Sequence, residues 1–119
     1  MPNQVSPHSV PQSEHRNILA EIDFYYGETC KASAWLQRYL IIKIGPMRDP
    51  FLYFFENFIT LFTMTHKHKE MGTAKEVSEK ILKWRNGTEI TPARCKKGIE
   101  LFDDWQEALF KAGLLSVRK

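Results

Sequence analysis

The chain has 119 residues, 43% hydrophobic and 26% charged, with a formal net charge of +3. These values fit one globular domain, long enough to bury a core and far from disordered or collagen-like compositions. Two cysteines, Cys30 and Cys95, with no CxxC spacing, exclude a disulfide scaffold and read as small buried apolar side chains of a cytoplasmic protein.

Residues 1–13 are polar, contain three prolines and have no apolar run. Such a segment buries too little surface to offset its ordering entropy, so it reads as a disordered tail. With no basic start and no apolar stretch it does not read as a signal peptide. Residues 14–119 read as a single all-α domain, a compact bundle of about five helices.

The first two helices are expected near 13–26 and 29–44, broken at Gly27, with a single kinked helix as the alternative. Ile18, Ile22 and Tyr25 share a face of the first, and Trp35, Leu36, Tyr39 and Leu40 a face of the second. Ile41, Ile42 and Ile44 also suit a short strand, but the chain supplies no partner strand. After Gly45-Pro46, Asp49-Pro50 pairs an N-capping carboxylate with a proline that has no amide hydrogen to lose, predicting a third helix over 50–65. Thr73 and Glu76 have capping-box spacing and start a fourth over 73–85, after Gly72. Val77, Ile81 and Trp84 line its inner face. Asn86-Gly87 ends it. Thr91-Pro92 repeats the cap-and-proline device for a last helix over 92–112, with Cys95, Ile99, Phe102, Trp105 and Leu109 inward and Gly113 as its stop.

The third helix, within "DPFLYFFENFITLFTMTHKHKE", holds five of the eight phenylalanines. Its apolar run is interrupted by Glu56 and Asn57 and is too short and too polar to cross about 30 Å of hydrocarbon, so no transmembrane segment is expected. Glu56, Thr60 and Thr63 form one polar stripe on an otherwise apolar cylinder, the pattern of a helix buried on most sides. Besides a helix lying in a membrane interface, which the basic residues after it would suit, two arrangements satisfy it. Either this is the central helix of the bundle, or Phe51, Phe54, Phe55, Phe58 and Phe62 also form an interface with a second copy or a partner, making a homodimer a candidate.

Groups able to carry chemistry are few. His66, His68 and Glu70 lie within five residues, but no second cluster completes three or four converging ligands, so no metal site is expected. The stripe Glu100, Asp103, Asp104 and Glu107 has Lys96 and Lys111 at ion-pair spacing and reads as a solvated face. No nucleophile elbow, phosphate loop or dinucleotide glycine loop is present. The chain reads as non-enzymatic, without cofactor or small-molecule substrate.

The basic charge is concentrated in the second half: residues 60–119 carry 12 basic and 8 acidic side chains, against 5 and 6 in residues 1–59. Here "TAKEVSEKI", then "EITPARCKKGIELF", then "KAGLLSVRK" describe a short helix, a brief connection and a second helix whose first turns are basic. Basic side chains at such a helix start reach phosphates and base edges. Residues 73–119 resemble the helix-turn-helix of winged-helix regulators, in which a "T-A-x-E" support helix precedes a "T-P-A" recognition helix. The chain ends where the wing would begin. The resemblance implies a DNA-binding regulatory protein in which Thr91, Arg94, Lys96 and Lys97 face double-stranded DNA. The alternative is a non-enzymatic helical adaptor or regulatory subunit that works through protein contacts.

Overall fold

The structure, a computed structural model, describes residues 11–42, 45–68 and 74–115. Four helices follow one another: α1 Pro11–Ile42, α2 Arg48–His66, α3 Lys75–Arg85 and α4 Pro92–Lys111. Among the described residues there is no strand, and Ile41 and Ile42 complete the last turn of α1.

The expected break at Gly27 does not occur, so four helices replace the five. A glycine inside a helix costs only about 1 kcal/mol. Ile22, Tyr26, Ala32 and Leu36, on one face across it, are 0–1% exposed, and burying each large side chain contributes about 1.5–3 kcal/mol. Packing outweighs the glycine. The helix also takes in Pro11, Gln12 and Ser13, which composition assigns to the tail; residues 1–10 of that tail lie outside the described residues.

The aromatic helix α2 occupies the centre. Phe51, Phe54, Phe58 and Leu61 are 0–1% exposed. Against it α3 lays Trp84, whose ring lies 5.3–6.4 Å from those of Phe51, Phe54, Phe55 and Phe58. From α4 come Phe102, 5.4 Å from Phe58, and Trp105, 5.1 Å from Phe62. Tyr26 of α1 closes the cluster at 6.1 Å from Phe102. The polar stripe is where the spacing puts it, with Glu56 and Thr63 exposed and Thr60 half-buried. Among the described residues no helix is long and apolar enough to cross a membrane.

Polar side chains that join the helices inside this core are hydrogen-bonded to one another or to the main chain. The Trp105 indole donates to Thr65 Oγ1 at 2.9 Å, and that hydroxyl donates to the Leu61 carbonyl at 2.8 Å. The Tyr26 hydroxyl donates to Gln106 Oε1 at 2.8 Å, tying α1 to α4. Cys95 is buried against Met47 Sδ at 3.6 Å. Burial pushes its thiol up to about 11, which keeps it in the unreactive protonated form near neutral pH.

The helix ends agree in part with the sequence. Thr91 caps α4, its hydroxyl accepting from the Arg94 amide at 3.1 Å with Pro92 at the first helical position. Gly113, at φ +75°, ends α4 in a Schellman turn: its amide donates to Phe110 and that of Leu114 to Leu109. Asp49, by contrast, is not the N-cap of α2. That helix starts at Arg48, two residues earlier than expected, with Met47 as cap residue, its carbonyl accepting from Phe51 at 2.9 Å. Asp49 instead lies in the first turn, where its carboxylate faces the positive end of the helix dipole. Thr73 of the expected capping box lies outside the described residues.

Candidate nucleic-acid interface

The four residues singled out for DNA contact sit on the first turns of α4, but they divide into two groups. Lys96 and Lys97 are exposed, with Lys97 Nζ 4.0 Å from Glu100. Glu100 therefore pairs at i, i+3 rather than with Lys96 at i, i+4. Thr91 is half-buried and its hydroxyl is taken up by the cap.

Arg94 is turned inward. Its guanidinium lies 5.2–5.4 Å from the ring centres of Phe51, Phe55 and Trp84, close enough for cation–π attraction. Nη1 donates to the Glu89 carbonyl at 2.9 Å and Nη2 to the Trp84 carbonyl at 3.1 Å. The second bond meets a carbonyl of the last turn of α3, where helix carbonyls lack intrahelical partners and a cation is favoured. The link is reciprocal, because the Trp84 indole donates to the Arg94 carbonyl at 3.0 Å. Gly98, one turn further along α4, permits it: a Cβ there would come within 2.4 Å of the Trp84 ring. Arg94 thus fastens α3 to α4.

The five phenylalanines named as an interface divide similarly. Phe51, Phe54, Phe58 and Phe62 are at most 2% exposed, inside the chain's own core, and Phe55 is half-buried. At the end of α2, His66 stacks on Phe62 at 5.0 Å, with Nδ1 3.1 Å from Ser78 Oγ. Glu70 lies outside the described residues, and among those described no cluster of metal-ligating side chains occurs. Of the acidic stripe, Glu100, Asp103 and Asp104 are exposed and Glu107 is half-buried.

A different surface stands out, one the sequence reading missed. Phe24 is 58% exposed, Trp35 42% and Tyr53 41%. Trp35 packs edge-on between Tyr39 and Tyr53, at 6.3 and 6.2 Å. The Tyr53 hydroxyl donates to Glu28, which also pairs with Lys31 at 3.2 Å. The Tyr53 bond, then Lys31, holds the Glu28 carboxyl below its ordinary value, and the same bond raises the Tyr53 phenol. Phe24, Glu28, Lys31 and Trp35 fall at i, i+4, i+7 and i+11, one stripe along α1 on the side away from Ile22 and Leu36. That stripe exists only if α1 is continuous, so reading a break at Gly27 hides it.

No family model matches the chain, and neither the characterised proteins nor the solved structures contain a match to it.

Proposed function

We propose that this chain is a helical adaptor that docks another protein on the outer face of α1 and α2. The observation that carries this reading is the contact between Trp35 and Tyr53, two rings that leave about two-fifths of each side chain in solvent on adjacent helices. Tryptophan and tyrosine on a firm support dominate binding energy at protein interfaces, because they bury large area with few rotamers to fix. Phe24 extends the apolar stripe by three turns, and Glu28 with Lys31 gives it a polar, orienting centre. Exposed apolar surface of this kind marks interaction sites.

The DNA reading keeps a narrower footing, the exposed pair Lys96 and Lys97. Two lysines can meet phosphate or a guanine edge, but without Thr91 and Arg94 they supply only half of the expected contact set.

Photo-crosslinking separates the two. With a benzophenone amino acid at position 35, the adaptor reading expects adducts to a distinct protein, lost when Phe24→Glu is added. Adducts only to a second copy of this chain would make the face a dimer seam instead. Adducts to nucleic acid from position 97, with none from position 35, would overturn the adaptor reading in favour of DNA.

A further inference from the structure

Where the first turns of α2 meet the α3–α4 connection, a hollow of about 220 Å³ is lined by Phe51, Leu52, Phe55, Thr88, Ile90 and Arg94. We propose that it is a binding site for a carboxylate carried on a small apolar body, with Arg94 as the group that holds the charge. This site is separate from the docking face and does not depend on it.

Arg94 brings a permanent positive charge into an aromatic setting. Among the described residues no carboxylate forms an ion pair with it. The guanidinium has five N–H donors, and its recorded acceptors are two neutral main-chain carbonyls. Nε is buried and lacks a hydrogen-bond partner among the described residues. Gly87 packs close on that flank, where a Cβ would stand 3.1 Å from Nε and 3.4 Å from Cζ, so a ligand is met by the remaining Nη N–H groups.

The shape selects the ligand. A planar guanidinium fork matches a carboxylate, and a charge-assisted bond to a carboxylate is roughly twice as strong as one between neutral groups. Phe51, Leu52, Phe55 and Ile90 supply an apolar wall for the rest of the molecule. A cavity of about 150 Å³ accepts benzene, so 220 Å³ suits one ring with a short acidic arm. A free acid and the terminal carboxylate of a peptide ending in phenylalanine share this chemistry.

The test is a titration of the ¹⁵N-labelled full chain, following the Arg94 Nε–H and Trp84 indole resonances. Phenylacetate is expected to shift both saturably, and phenylethanol, with the ring but not the charge, to leave them in place. Thr88→Glu puts a competing carboxylate at the rim from an exposed position; it should weaken phenylacetate at least about tenfold, the worth of one lost charge-assisted bond, with the melting temperature retained. A tetrapeptide ending in phenylalanine, with free or amidated C-terminus, identifies the source: tighter binding of the free peptide than of phenylacetate assigns a chain terminus, and the reverse a small acid. An absent phenylacetate shift, an equal shift with phenylethanol, or indifference to Thr88→Glu would overturn the proposal.

Discussion

At position 98 the interior of α4 carries glycine, which costs about 1 kcal/mol relative to alanine on helix propensity alone. The Trp84 indole explains it, since a Cβ would lie 2.4 Å from Cζ2. That ring is packed against phenylalanines of α2 and hydrogen-bonded to the Arg94 carbonyl, so it has no free direction in which to yield. Overpacking of this kind costs about 1–3 kcal/mol. Gly98→Ala is therefore expected to destabilise by roughly 1–2 kcal/mol despite the better propensity. In a Trp84→Phe background, where the ring atoms nearest residue 98 are gone, the same change should become neutral or stabilising. A double-mutant cycle by urea unfolding reads the coupling; equal effects in both backgrounds would show that the contact does not set the sign. The register of α4 also governs Arg94. Residues 94, 98, 101 and 105 share a face at i, i+4, i+7 and i+11, and Gly98, Leu101 and Trp105 are buried. The inward turn of Arg94 was thus legible in spacing, but its charge argued for water, and the ring box that accepts it comes from α2 and α3, far away in sequence.

Among the elements, α4 has the most explicit start, and the sequence names it correctly because every part is local. Thr91 has extended backbone, its hydroxyl accepts from the Arg94 amide, and Pro92 follows. Thr91→Ala should cost about 1 kcal/mol, and Thr91→Ser or Thr91→Asp should retain most of the stability. Thermal melts of the three variants check this, and an alanine variant as stable as wild type would mean water replaces the cap. The start of α2 and the length of α1 were misread for one shared reason. Caps and breakers are weak local terms, each about 1 kcal/mol, whereas tertiary burial sums over several large side chains. At Gly27 the buried residues on either side keep the helix continuous. At Asp49 the helix reaches back to Arg48, with Met47 as cap residue and partly packed on the core.

Across the whole molecule, the composition of the aromatic helix shows that it must be covered on most sides, by its own bundle or also by a second copy, because the cylinder is apolar nearly all round. What lies outside it depends on how three other helices are placed, which periodicity within one helix does not give. The basic residues show the consequence. If the protein binds DNA through the start of α4, log affinity should fall with log salt by about 0.9 per phosphate neutralised. Changing Lys96 and Lys97 together to alanine should then flatten that slope by about two. Arg94→Ala is expected to leave the slope unchanged, because its guanidinium is bonded to the Glu89 and Trp84 carbonyls and faces rings rather than solvent. Its effect should appear in stability, as a loss of roughly 1–3 kcal/mol from two charge-assisted bonds at a half-buried site. Fluorescence anisotropy across a salt series, run well below the melting temperature of each variant, separates the two effects. A slope that falls by about one on Arg94→Ala with the fold intact would mean that Arg94 leaves its ring box to meet phosphate. The fastening between α3 and α4 would then open on binding, and that movement would couple DNA contact to the packing of the core.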